Sequence, residues 1–396
     1  MLDALPQITI LPGKHKRAKS GHPWIYANEI AMTPETKDLP PGTLVSVINS
    51  GGEPMGTAFF SAQTLVVARM ISKRPAQPFT PTFVAERLNS AMAWREKLFS
   101  EPFYRLAHAE ADGLPGLIID RFGDGLVCQF NSAGLELHRD AVLAGIEAAL
   151  QPEWLLLRND SSQRVLEKLP SVVETVKGTV PTPLEIRENG VTYLADPNDG
   201  QKTGWFFDQR LNRSMVAGLA KDARVLDAFS YLGGFGLLAA QAGASEVTLL
   251  DRSVGALELA MEAATRNGLA DQVSTERAEV FEALDNYASA GRKFDVVVID
   301  PPAFAKSKRD LPAALRGYRK LARMAAKTVA PGGFLLAASC SHTVDPPSFA
   351  LETSRGIQES GRNARILRTT GASPDHPTHP QLPESAYLKA MLYHLD

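Results

Sequence analysis

After Arg224 the sequence settles into one repeating order: a short strand-like segment, a glycine-bearing turn, then an Ala/Leu-rich stretch with helical spacing. The segments Val225-Leu226, Val247–Leu250, Val273–Thr275, Val296–Ile299 and Phe334–Ala338 alternate with helical stretches near residues 236–242, 254–267, 280–289 and 312–329. Continuous apolar strands separated by helices predict a doubly wound, mostly parallel α/β sheet, because such strands need cover on both faces. In an open sheet of this kind ligands bind outside the carboxyl ends of the strands. The residues that end each segment therefore carry the chemistry.

The chain before this region reads differently. Residues 8–75 hold short β segments with frequent Gly and Pro (Ile8–Leu11, Thr43–Ile48, Met55–Phe60, Leu65–Ile71), the pattern of a small barrel. Pro75, Pro78 and Pro81 between Lys73 and Thr82 suit a stiff linker and place a first boundary at residue 75. A helix over Phe83–Phe99 follows, then strands Gly116–Phe122 and Leu126–Phe130 about the turn Gly123-Asp124-Gly125, a helix over Leu137–Leu150 and a strand at Trp154–Leu157. These make an α+β middle domain over 76–182. A hairpin about Asn189-Gly190 opens the last domain, 183–396. A chain of 396 residues has the apolar material for three such cores.

Charge narrows the partners. The 42 basic and 44 acidic residues nearly cancel, so a polyanion must be met by a local patch, and Lys14, Lys16, Arg17 and Lys19 form one. Two cysteines, Cys128 and Cys340, are too few for a disulfide scaffold of this size, which points to a reducing cytoplasm. No apolar run nears the roughly 18 residues that span a bilayer, and the first residues lack signal-peptide character. Neither a membrane nor a metal is expected.

The first strand of the repeating region ends in Asp227-Ala-Phe-Ser-Tyr-Leu-Gly-Gly-Phe-Gly236, a turn tight enough for a ligand to lie on the backbone. The second ends in Asp251, about where a carboxylate accepts from ribose hydroxyls, and after the third Glu279 could receive an adenine amino group. These ends describe an adenosine site. A dinucleotide would require Gly-x-Gly-x-x-Gly and would be repelled by Asp227, which suits the cationic methionine end of S-adenosylmethionine better. The alternative is that Asp227 and Asp251 only cap helices. Trp205, Phe206 and Phe207, in the polar and aromatic block Gly200–Arg210, could close over the cofactor or belong to the core.

The fourth strand ends in Asp300-Pro301-Pro302, where two prolines remove N–H donors and leave carbonyls free to hold a planar amino group, and Phe304 could stack on a base. Alone this fits methylation of an exocyclic nitrogen of adenine or guanine. The fifth strand ends in Ser339-Cys340-Ser341-His342, which points elsewhere. Carbon 5 of a pyrimidine becomes nucleophilic only after a thiolate adds to carbon 6, so a cysteine beside the methyl-donor site suits C5 transfer. A thiol of ordinary pKa about 8.5 needs help to ionise, for which His342 is one candidate. Cys340 could otherwise end its strand as a small buried hydrophobe, as Cys128 is expected to do within Leu126–Phe130. Lys320 lies in the basic run Lys306–Arg323, where phosphate contacts compete with a plain solvated helix face.

These residues resemble the bacterial 23S ribosomal RNA large-subunit cytosine-C5 methyltransferases that carry an N-terminal PUA domain. The marks are Ser20–Tyr26, Gly200–Arg210, Phe229–Phe235, Asp300–Phe304, Ser339–Ser341, Asp375–Pro377 and Tyr387–Lys389. The resemblance implies a PUA RNA-binding domain over 1–75 and a Rossmann-like class I methyltransferase domain with a seven-stranded sheet. It implies S-adenosylmethionine as donor, held by Gln209, Asp227, Ser230, Gly233, Asp251, Ser253, Glu279 and Asp300. Cys340 would be the nucleophile and Asp300 the residue that orients or deprotonates the base. The partner implied is large-subunit ribosomal RNA, and a homodimer is compatible with it. Ala303 stands where other RNA cytosine methyltransferases have a second cysteine, so the group that assists elimination is open. Transfer to uracil C5, transfer to an exocyclic nitrogen, and a non-catalytic RNA-binding or assembly factor remain alternatives.

Overall fold

A computed structural model describes residues 5–198, 200, 203–305 and 307–396. The expected contributions of Gln201, Lys202 and Lys306 lie outside the described residues. The chain divides into two compact units: Met1–Pro181 with Pro197–Trp205 and Asp375–Pro383, and Thr182–Asp196 with Phe206–Pro374 and Glu384–Asp396.

The first unit holds two five-stranded sheets. Strands β1 (Gln7–Thr9), β2 (Trp24–Tyr26), β3 (Thr43–Ile48), β4 (Pro54–Phe60) and β5 (Val66–Ser72) take the order β1-β3-β4-β5-β2 around Ile8, Ile25, Val45, Val47, Phe60 and Val67. Strands β6 (Phe103–His108), β7 (Leu117–Phe122), β8 (Gly125–Phe130), β9 (Trp154–Asn159) and β10 (Val172–Lys177) run in reverse chain order across the second sheet. Helices Pro81–Arg95 and Arg139–Leu150 supply Leu88, Val142 and Ile146 to its core. Pro81, expected in a linker, starts a helix instead: Thr80 Oγ accepts from Phe83 N at 3.2 Å, and proline in the first turn has the φ a helix needs. Cys128 is fully buried in β8 and burial pushes its thiol pKa up, so it packs and does not react.

The second unit opens with the expected hairpin, β11 (Leu184–Glu188) and β12 (Val191–Ala195). Asn189 and Gly190 both take positive φ, +54° and +81°, as a two-residue turn matching the strand twist requires. Strands β13 (Arg224–Ala228), β14 (Glu246–Asp251), β15 (Val273–Arg277), β16 (Phe294–Ile299), β17 (Val329–Ser339), β18 (Ala364–Thr370) and β19 (Lys389–Leu395) form a seven-stranded sheet in the order β15-β14-β13-β16-β17-β19-β18. The first five run parallel; β19 is antiparallel to both neighbours. Chain order reverses beside β13, which makes the carboxyl ends of β13 and β16 the ligand crevice. Helices Val280–Ser289, Leu311–Thr328 and Pro346–Glu359 bury Leu284, Leu321 and Phe349 against Leu226, Val297 and Leu335 on one face.

Candidate active site

The pleat decides where each strand-end side chain goes. Leu226 and Ala228 belong to the core just described, so Asp227 lies on the opposite face, at 1 % exposure beneath helix Gly234–Gln241. Its Oδ2 accepts from Gly236 N at 2.8 Å. Burial, with the Asp300 and Asp251 charges adding to it, raises the Asp227 pKa to about 7 against the pull of the Gly236 N–H and Arg213. A cation beside a carboxyl group held this far from water would favour its charged form.

The turn after Asp227 is shaped for close approach. Phe229 and Tyr231 hold φ of +62° and +50°, rare for residues with a side chain, and Gly233 follows at +72°. Asp251 Oδ2 accepts from Tyr231 N and its Oδ1 from Ser253 N, both at 2.9 Å, so this carboxylate also builds the turn. A Cβ on Gly236 would stand 2.2 Å from Leu249 Cδ2, which is why the helix can lie directly on β14. Ser230 Oγ is buried with no hydrogen-bond partner among the described residues, an orphan that a ligand in the turn would satisfy. Ser253 Oγ accepts from Ala256 N at 3.3 Å and caps its helix, and Glu279 stands exposed at the start of helix Val280–Ser289. Asp227, Ser230, Gly233 and Asp251 thus gather on one turn, and Ser253 and Glu279 stand exposed near the ends of β14 and β15.

Asp300 ends β16, and its Oδ2 accepts from Gln209 Nε2 at 2.8 Å. That amide has one orientation because Gln209 Oε1 accepts from Asn212 Nδ2 at 2.6 Å, while Thr370 Oγ1 donates to Asn212 Oδ1 at 2.7 Å. Gln209 closes the turn Phe207–Gln209 and Asn212 lies on the next helix, Arg210–Ala217. The relay holds one carboxylate oxygen in place and polarises it. Phe207 is buried.

Cys340 follows β17, half-buried, between two serines that face the other way. Ser339 Oγ donates to Tyr318 OH at 2.8 Å, Tyr318 OH lies 3.2 Å from Ser341 Oγ, and Ala305 N donates to Ser341 Oγ at 3.4 Å. Strand alternation then turns Cys340 away from Tyr318. Ile299 of β16 pairs with Ala337 of β17, so Asp300 and Cys340 stand at neighbouring strand ends. His342 stacks on Tyr387 with ring centroids 5.1 Å apart, and the Tyr387 hydroxyl donates to Asp208. Phe304 stacks on Tyr318 at 4.7 Å, so one of its faces is already taken. Lys320 is exposed with its ammonium 5.2 Å from the Phe281 ring, whereas Arg319 is engaged by Glu352 at 2.5 Å.

In the first unit Lys14, Lys16 and Lys19 are exposed. Arg17 is tied to His22 Nε2 at 2.9 Å and lies over Tyr26 at 4.8 Å. Trp24 donates to Glu110 at 2.7 Å.

An S-adenosylmethionine-dependent methyltransferase family model matches residues 147–394, and a PUA-like domain matches residues 8–73. The ribosomal RNA large subunit methyltransferase I of Aeromonas salmonicida is 37 % identical over 392 residues, covering 97 % of this chain and 98 % of that protein. The protein of the same name from Shewanella amazonensis is 36 % identical, covering 98 % of each. This chain belongs to the ribosomal RNA large subunit methyltransferase I family. Its cofactor is S-adenosylmethionine. The fold of this methyltransferase is also that of a solved structure from Streptococcus mutans described as S-adenosylmethionine-dependent, with TM-score 0.83, 22 % identity, and coverage of 98 % of this chain and 100 % of that one. A methyltransferase crystallised with S-adenosylhomocysteine superposes with TM-score 0.84 at 21 % identity and the same coverages. Among the described residues no helix is long and apolar enough to cross a membrane.

Three residues of the site carry no role in the sequence reading: Asn212, Tyr318 and Lys389. The first two have no local mark. Lys389 has one, since a charge heading the otherwise apolar run Ala390–Tyr393 is unusual, and it stands within the tail block that carried the family resemblance.

Proposed function

We propose that this methyltransferase modifies C5 of a cytosine in large-subunit ribosomal RNA through a temporary bond between Cys340 and C6. The observation that carries the reading is the single half-buried thiol beside Asp300, with both flanking serines locked away from it. The relatives' names supply the RNA class, and the exposed Lys14, Lys16 and Lys19 of the PUA-like region 1–75 suit its phosphates. The middle region 76–182 and the methyltransferase region 183–396 complete the proposed division, in a reducing cytoplasm.

Asp227, Ser230, Gly233, Asp251, Ser253 and Glu279 would hold the cofactor, which would supply an electrophilic methyl group. Cys340 Sγ attacks C6, and the C5–C6 π electrons become available at C5, which takes the methyl. Asp300, oriented by Gln209, accepts from the exocyclic amino group as charge shifts through the ring. Loss of the C5 proton to a base then restores the double bond and expels the thiolate. The target must leave its stack, since thiol attack needs the face of the ring.

Transcripts bearing 5-fluorocytosine test this, because fluorine at C5 cannot leave as a cation. A denaturation-resistant adduct at Cys340 is the expected result. Nucleoside mass spectrometry of ribosomal RNA from cells with and without the protein should show one 5-methylcytosine lost. Loss of a 5-methyluridine or an N-methylated purine instead would refute the assignment.

Asp227 gives a pH-dependent test of the cofactor site. Its folded pKa of about 7 lies above the ordinary 3.8, so between those values the folded chain binds more protons than the unfolded one and loses stability as pH rises. Asp227→Asn removes that penalty while keeping an acceptor for Gly236 N. Expected is a higher thermal midpoint than the parent at pH 8 without cofactor, together with S-adenosylmethionine binding weakened about tenfold or more in calorimetry, the loss of a charged hydrogen bond. Unchanged binding would remove Asp227 from the site.

A further inference from the structure

Lys389 is 3 % exposed and opens β19 directly beside the nucleophile's strand, its Cα paired with that of Ser339. Its Nζ donates to Ser341 O at 2.5 Å, Val344 O at 2.7 Å and Tyr387 O at 3.0 Å. Those carbonyls use the three N–H bonds that only the ammonium form has; a neutral amine would leave one of them unserved. Two of the three belong to the segment that follows Cys340. The side chain of Ser341 is meanwhile held by Tyr318 and Ala305 N, so the peptide after the thiol is fixed from both faces.

A buried cation is costly unless it is compensated. Carbonyl dipoles supply part of the compensation here. The charges that act on Lys389 are Cys340 and Asp345, both of which favour its protonated form against a burial penalty that brings its pKa down to about 8. Asp345 is engaged at the start of helix Pro346–Glu359, accepting from Ser348 N at 2.9 Å and from Ser348 Oγ at 2.7 Å. The attraction between Lys389 and Cys340 is mutual, so the ammonium steadies a thiolate at Cys340, whereas Asp345 steadies the ammonium alone. Burial raises the Tyr318 hydroxyl pKa, so it contributes a dipole only, while Asp300 at the neighbouring strand end is a carboxylate whose charge opposes a thiolate and leaves Lys389 as the cation that offsets it. His342 lies on Tyr387.

We propose that Lys389 is the positioning residue of the nucleophile, clamping the backbone that follows Cys340 and supplying the positive charge that favours its thiolate. This rests on the reading of Cys340 as the attacking group.

The test is the pH profile of iodoacetamide alkylation at Cys340 in the full-length protein, read by peptide mass spectrometry with buried Cys128 as internal reference. In Lys389→Met the profile should move up by about one pH unit, slowing alkylation at pH 7 about tenfold. The kcat for RNA methylation should fall by a similar factor, with KM for S-adenosylmethionine unchanged. Lys389→Arg keeps the charge and should restore the alkylation profile, and it stands as the second variant if the methionine form does not fold. An unshifted profile in Lys389→Met, or Arg and Met variants that behave alike, would overturn the proposal. The underlying reading fails separately: if Cys340→Ala still methylates RNA, Cys340 is not the nucleophile whatever Lys389 does.

Discussion

Cys340→Ala is expected to lower methyl transfer to ribosomal RNA by at least about 10⁴-fold, the scale on which removal of a covalent nucleophile acts in enzymes. S-adenosylmethionine binding should stay within a factor of about two, because a methyl in place of a thiol removes no charge from the Asp227 turn. Neighbouring hydroxyls cannot substitute. Ser339 and Ser341 are buried at 0 % and 1 % exposure and committed to Tyr318, on the side of the strand away from the crevice. Cys340→Ser should be equally inactive, since an alkoxide at neutral pH is far scarcer than a thiolate. Tritium transfer from labelled cofactor to RNA measures the first effect and calorimetry the second. Activity that survives in Cys340→Ala would favour an exocyclic nitrogen, whose lone pair takes a methyl without any covalent help. In that case Asp300 and the Asp-Pro-Pro carbonyls would be the whole reacting centre.

What the sequence discloses of this site divides along one physical line. Residues whose place follows from a strand's end are legible, because parallel strands write themselves as apolar runs and the residues that end them stand at the crevice. Asp227, Asp251, Asp300 and Cys340 are of this kind. So is the doubly wound sheet: the helices near 254–267, 280–289 and 312–329 are found at Val254–Arg266, Val280–Ser289 and Leu311–Thr328. Roles created by side chains that meet across the fold leave no such trace. Asn212 and Thr370 lie far apart in the chain, as do Asp208 and Tyr387, and their contacts exist only because β18 and β19 return along the edge of the sheet. Those two strands escape the periodic reading for related reasons. β18 is an exposed edge with charges among its apolar residues, Arg365 beside Ile366 and Leu367 beside Arg368, so no buried face imposes alternation. β10 and β6 in the first unit are hidden likewise, β10 by exposure and β6 by the Arg105–Asp120 pair at 2.6 Å.

Arg213→Met should destabilise the second unit by about 3–5 kcal/mol, the cost of removing the bidentate partner of a buried ion. Arg213 and Glu188 are 3 % and 1 % exposed and joined by two bonds, Nε to Oε1 at 2.6 Å and Nη2 to Oε2 at 3.0 Å. Arg213 Nη2 also donates to Phe206 O at 2.8 Å, and Glu188 attracts Arg210 at 3.4 Å. The pair joins the end of β11 to the helix Arg210–Ala217, which follows directly on the turn that presents Gln209 to Asp300. Methionine fills a similar volume, so the loss measures charge more than a cavity. For a unit of this size the thermal midpoint should drop by roughly 10 °C in calorimetry, and methyl transfer should weaken at temperatures where the fold persists because the Gln209 amide loses its footing. The double variant Glu188→Met/Arg213→Met decides the cause. Replacing both partners by apolar groups also removes the buried carboxylate that lost its bidentate partner, so it should recover at least half of the loss in stability. Arg210, at 8 % exposure and closer to solvent, is the cation left to rehydrate. A double variant no more stable than Arg213→Met would mean that the geometry of the bonds, and not the charge left on Glu188, decides the loss.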